Sequence, residues 1–181
     1  MIIQLVYQHP EAIGQILRST PTWVWGLATA LAALGASQLR ARTASLARVS
    51  LMPVAMTGFS VWGMVSAFGN SPLLTQALGL WLAAAVIVGA FVARLSANAR
   101  YDAATRTFAI PGSVVPLLLI VGIFLVKYVV GVDLAIAPQL MRDSQYALTV
   151  AGLYGAFTGL FVGRTARLWR LALPSRAVLA A

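Results

Sequence analysis

Apolar positions gather into five runs, roughly 23–39, 49–68, 73–93, 114–132 and 146–162, separated by short polar connections. At about 1.5 Å per helical residue each run is about as long as a hydrocarbon core requires, so the pattern predicts five transmembrane helices. Each run opens on a start signal: Thr20 before Pro21, Ser50 before Pro53, Ser71 before Pro72, Ser113 before Pro116, and Asp143 with Ser144 before Tyr146. A side-chain oxygen there accepts from amides that lack a helical partner, and proline is tolerated because those amides are unbonded anyway. Four spans is the alternative, with the short run 146–162 lying differently.

The polar positions give the helices a direction. Arg40, Arg42 and Arg48 fall between the first two runs, Arg94, Arg100 and Arg106 between the third and fourth, and Arg164, Arg167, Arg170 and Arg176 after the last. Ten of the thirteen basic residues therefore occupy alternate connections, leaving Arg18, Arg142 and Lys127 elsewhere. The positive-inside bias then predicts a periplasmic N-terminus and a cytoplasmic C-terminus in a bacterial inner (cytoplasmic) membrane.

Composition narrows the class further. Sixty per cent of residues are apolar and nine per cent charged, far from a soluble domain, and 181 residues are used up by five spans in a single domain over 1–181. The net charge of +9 flanks membrane spans, which favours anionic lipids at the arginine clusters over nucleic acid. With no cysteine there is no thiolate metal site, disulfide or thiol nucleophile.

Before the first run, the apolar Met1 to Tyr7 lack a basic n-region, which argues against a cleaved signal peptide. His9, Pro10 and Glu11 instead read as the start of a short interfacial helix with Ile13, Ile16 and Leu17 on one face. In the cytoplasmic stretch RYDAATRTFAIPG, Thr107 to Ile110 alternate after the turn-prone Asp102, so Tyr101, Asp102 and Arg106 belong either to a small β-hairpin or to an irregular loop. Beyond the fifth run, Arg164, Arg167 and Arg170 repeat every three residues, as expected of a helix continuing into the headgroups.

Two intramembrane features stand out. Gly155, Gly159 and Gly163 form a small-residue stripe for close helix packing, either within the chain or against a second protomer. Lys127 lies inside the fourth run without an acidic residue three or four positions away; only Glu11, Asp133 or Asp143 could approach from the outer side. It either snorkels to the outer headgroups or forms an anion-attracting or proton-linked polar site with Tyr128 and Asp133.

Other chemistry is poorly supplied. Met52, Met56 and Met64 could offer soft thioethers, but methionine is also an ordinary gap-filler, so no metal is assigned. One histidine, His9, cannot give bis-histidine haem ligation or an intramembrane serine–histidine dyad, and four scattered carboxylates form no acid/base pair. The expectation is no cofactor and no enzyme.

Three segments, ILRSTPTWVWGL, LMPVAMTGFSVWGMVSAFG and YDAATRTFAIPGSVVPLLLIVGIFLVKYVVGV, together resemble an uncharacterised family of small bacterial inner-membrane proteins, distantly similar to the CcdC-type membrane proteins. The resemblance implies an inner-membrane location and a compact helical bundle, and carries over no activity or catalytic residue. The chain thus reads as an all-α integral membrane bundle, a non-enzymatic accessory or interaction protein with a homodimer or membrane-protein partner. The competing class is a small permease or ion-coupled transporter using Lys127.

Overall fold

A computed structural model describes residues 11–173, with side chains from residue 14 onward. The readings placed on Met1 to Pro10, His9 among them, and on Arg176 lie outside the described residues. In chain order come α1 (Glu11–Ser19), α2 (Thr22–Ala36), a 3-10 turn (Ser37–Leu39), β1 (Arg42–Ser45), α3 (Leu46–Phe68), α4 (Leu74–Arg94), β2 (Arg100–Asp102), β3 (Thr107–Ile110), α5 (Val115–Ile136), a second 3-10 turn (Pro138–Arg142) and α6 (Ser144–Ala172).

Four helices, α3 to α6, are long and apolar enough to cross a membrane. The first apolar run, expected as a span over 23–39, departs from that pattern. Its helix α2 has 15 residues, about 22 Å of rise, and the chain then tightens into the 3-10 turn, where the Ser37 hydroxyl donates to the Leu34 carbonyl. The four-span alternative placed the short element at the wrong end. Run 146–162 belongs to the longest helix, the 29-residue α6, because Thr165 to Ala172 continue it without a glycine or proline.

The start signals divide in the same way. Asp143 caps α6, accepting from the Tyr146 amide at 2.7 Å, while Ser71 and Ser113 accept from the amides of Leu73 and Val115. Ser50 is not a cap. The helix begins a turn earlier at Leu46, with Ser45 accepting from the Arg48 amide, so Ser50 lies inside α3 and donates back to the Leu46 carbonyl. Thr20 does not cap α2 either, since its hydroxyl donates to the Ile16 carbonyl and closes the elbow from α1.

The Arg100–Gly112 stretch forms the hairpin β2–β3, and a strand absent from the sequence reading completes it. Residues 42–45, read only as part of a basic connection, pair antiparallel with β3, giving the order β1-β3-β2. Ala44 and Tyr101 stand opposite Phe108 on one face, and Phe108 is fully buried. The sheet precedes α3, follows α4 and precedes α5, so it ties three helix ends together at one end of the bundle. Arg167 and Arg170 come to that same end, donating to the Ser96 and Ala93 carbonyls. Basic side chains there meet carbonyls at the negative end of the α4 dipole.

The core has two parts. Met64, Phe68, Ala77, Val130, Ala147, Val150, Ala151 and Tyr154 fill the half away from the sheet. Leu119, Ile120 and Phe161, with Met52 and Met56 against them, fill the half nearer to it.

Candidate functional site

The glycine stripe of α6 packs against α4 of the same chain. A Cβ on Gly155 would run into the Trp81 carbonyl; one on Gly159 would lie 2.6 Å from the Ala85 carbonyl oxygen and 2.9 Å from the Gly89 amide. One on Gly163 would lie 2.6 Å from the Gly89 oxygen and 2.8 Å from the Val92 Cβ. Contacts advance together along both chains, so the helices run parallel, backbone against backbone. The packing partner on α4, Ala85 with Gly89 four residues on, escaped the sequence reading because it lies within a broad Ala/Val run with no distinct stripe.

Lys127 is thirteenth of the 22 residues of α5, far from either helix end. Half-buried, it turns inward: its Nζ donates to the Phe59 carbonyl at 3.0 Å and stands 5.1 Å from the Tyr154 ring centroid and 5.8 Å from that of Trp62. The side chain spans the gap between α5 and α3. Gly63 makes the approach feasible, since a Cβ there would collide with the ammonium and come within 3.1 Å of the Tyr154 ring. A lysine over aromatic faces gains roughly 0.5–2 kcal/mol, which offsets part of the cost of taking the charge into the bundle.

Around Lys127 lies a cavity of about 20 Å³, lined also by Met56, Phe59, Ser60, Ile123, Tyr154, Phe157, Thr158 and Phe161. That is room for roughly one water. The walls are almost wholly apolar, and the Ser60 hydroxyl among them is held by Trp81, whose indole N–H donates to Ser60 Oγ at 2.9 Å. Ser60 in turn reaches the Tyr154 carbonyl at 3.5 Å, and Thr158 donates to the same oxygen at 2.9 Å.

Two residues grouped with Lys127 in the sequence lie elsewhere. Tyr128 points to another side of α5, where its hydroxyl meets that of Thr20 at 2.6 Å and its ring stacks near Phe124. Buried Asp133 accepts from the Tyr146 hydroxyl at 3.4 Å and does not line the cavity. Ser60, Gly63, Tyr154 and Thr158 take their place. Tyr154 and Thr158 are four residues apart on one side of α6, a polar helical pair the sequence displays; Ser60 and Gly63 could be placed opposite Lys127 only by folding.

In the hairpin, Tyr101 packs on Phe108 with ring centroids 4.9 Å apart, and Asp102 accepts from the Thr105 hydroxyl and the Ala104 amide. The Thr105 bond, followed by that of Ala104, holds the Asp102 carboxyl below its ordinary pKa. Arg106 carries φ of 52°, a left-handed conformation usual for glycine. Arg42 on the neighbouring strand has a lowered pKa through burial and then through the nearby Arg48 charge. Among the described residues, no group of three or more His, Cys, Asp or Glu side chains could hold a metal.

Four spanning-length helices, three of them tied at one end by a three-stranded sheet, define a helical membrane protein. The model of a family of unknown function, DUF6622, matches residues 1–178, and the chain belongs to that family. No curated protein and no solved structure matches it.

Proposed function

We propose that the protein is a non-enzymatic, multi-pass inner-membrane protein that acts by binding other membrane components. The observation that carries this reading is α2. Its inward stripe is only Val24, Ala28, Leu31 and Gly35, with Gly35 against Leu117 of α5, while Trp23, Trp25, Leu27 and Leu34 are exposed. A helix attached along one narrow stripe and shorter than the bilayer is well suited to be covered by a partner helix or a second copy of the chain. In this reading α2 is the fifth crossing element, the sheet and the arginine-rich end lie in the cytoplasm against anionic lipid, and the N-terminus is periplasmic.

Native purification in detergent followed by mass spectrometry tests the binding role. A protein partner should co-purify stoichiometrically with the wild type and be lost from a Trp23→Ala, Leu27→Ala variant; equal recovery from both would reject α2 as the contact. Periplasm-active reporters should work after Asn70 or Gln139 and fail after Ala103. Activity at Ala103 would reverse the orientation.

A second reading, a small permease or ion-coupled transporter, is favoured by one observation: Lys127 lines a cavity between helices. Lys127→Met separates the two. Full complementation of a deletion strain by folded Lys127→Met protein would remove the transport reading.

A further inference from the structure

The Lys127 ammonium has three N–H donors, of which one, among the described residues, reaches an oxygen acceptor, the Phe59 carbonyl. The rings of Trp62 and Tyr154 flank it, and among the described residues no carboxylate lines the cavity it enters. A cation held at mid-helix among apolar walls at low dielectric attracts negative charge far more strongly than it would in water.

Ser60 supplies a second donor in the same wall. Its oxygen accepts a short bond from Trp81 at 2.9 Å, yet its own proton reaches the Tyr154 carbonyl only at 3.5 Å, the long limit of a hydrogen bond. Accepting from the indole polarises the hydroxyl and makes it a better donor. Thr158 already satisfies the Tyr154 carbonyl at 2.9 Å, so a turn of the Ser60 hydroxyl toward the cavity leaves that oxygen bonded. Size narrows what such donors can hold, because about 20 Å³ matches a particle the size of one water.

We propose that this cavity binds one small monovalent inorganic anion of halide size, held between the Lys127 ammonium and the Ser60 hydroxyl, with Gly63 as the notch that lets the ammonium reach it. The site depends on neither reading of the protein's role: it can serve as a passage or as a fixed structural ion.

The test is thermal unfolding of purified full-length protein in detergent at about 0.15 M ionic strength, in sodium chloride, sodium bromide or sodium gluconate, the last too large to enter. The wild type should melt higher in chloride and bromide than in gluconate by about 3–6 °C, the shift given by binding to the folded state alone. Lys127→Met should lose the difference by removing the cation. Gly63→Ala should lose it too while remaining folded, because its methyl displaces the ammonium and alanine suits a helix better than glycine. Equal midpoints of the wild type in all three salts would overturn the proposal. So would a chloride effect of undiminished size in Gly63→Ala, which would mark a general salt effect on the fold.

Discussion

The α4–α6 seam and the attachment of α5 solve the same problem in opposite ways. Along α4–α6, side chains have been removed: Gly155, Gly159 and Gly163 bring α6 onto the α4 backbone at Ala85 and Gly89. Between α5 and α3, a long side chain has been added, and Lys127 crosses the gap to a carbonyl beside Gly63. Lipid tails are as apolar as leucine, so neither seam gains from expelling water. The first relies on dispersion between close backbones, the second on polar and cation–π contacts in a low dielectric. A backbone seam cannot yield to an added side chain. A side-chain strut leaves room for a small cavity and can move.

The largest effect should come from overfilling the rigid seam. Gly159→Leu places a side chain against the Ala85 carbonyl and the Gly89 amide, and should destabilise the detergent-purified protein by about 3 kcal/mol. Leu160→Ala, on a partly buried neighbouring position, should cost clearly less. Equal melting temperatures for the two variants would show that the glycine stripe does not hold α6 to α4.

Next in size is the sheet, the other device that restrains α5. Phe108→Ala empties a fully buried site beneath β3 and should cost about 3 kcal/mol or slightly less. Its hydrogen-exchange signature should be uneven, with amides near the start of α5 losing protection before those of the α4–α6 seam. Uniform loss across all helices would mean that α5 is as firmly seated as α6.

The strut itself should matter little for stability. Lys127→Met gives up aromatic contacts and the bond to Phe59 but also removes a charge from the bundle, so in gluconate the net change should stay within about 1 kcal/mol. A loss comparable to Gly159→Leu would make Lys127 a structural clamp equal to the glycine seam.

The smallest change touches neither seam. Arg106→Gly relieves the left-handed backbone at the hairpin turn and should raise stability by about 0.5–1 kcal/mol, without altering exchange along α5 or α6. Urea titration of the two proteins in the same micelle would resolve it; a destabilised variant would mean that the Arg106 side chain supports the turn.

The features legible from the chain were those set within about one helical turn or one hairpin. Asp143 could be recognised as a cap because its acceptor lies three residues from the amide it bonds, and the α6 glycines because four-residue spacing alone places them on one stripe. Thr107 to Ile110 alternate within a single strand and turn, which made a hairpin one of two readings beside an irregular loop, and the strand is the one that forms. Thr20 and Ser50 had the same composition as true caps but found carbonyls four residues back, a local alternative that composition does not separate from capping. The shortness of α2 was likewise hidden, because a hydropathy run continues through Leu39 while the helix stops at Ala36.

By itself the sequence determined the solvent, through the length and apolarity of its runs, and the clustering of arginines in alternate connections, because both depend on spacing along one chain. Tertiary structure alone decided which helix the glycines meet, that residues 42–45 become a strand, and that Lys127 faces Phe59, Ser60 and Tyr154 instead of Tyr128 and Asp133. Those outcomes rest on contacts between residues 21 to 94 positions apart, such as Trp81 with Ser60 and Ser60 with Tyr154. Periodicity shows which residues share a helix face, but which face meets which neighbour depends on how all the helices pack together.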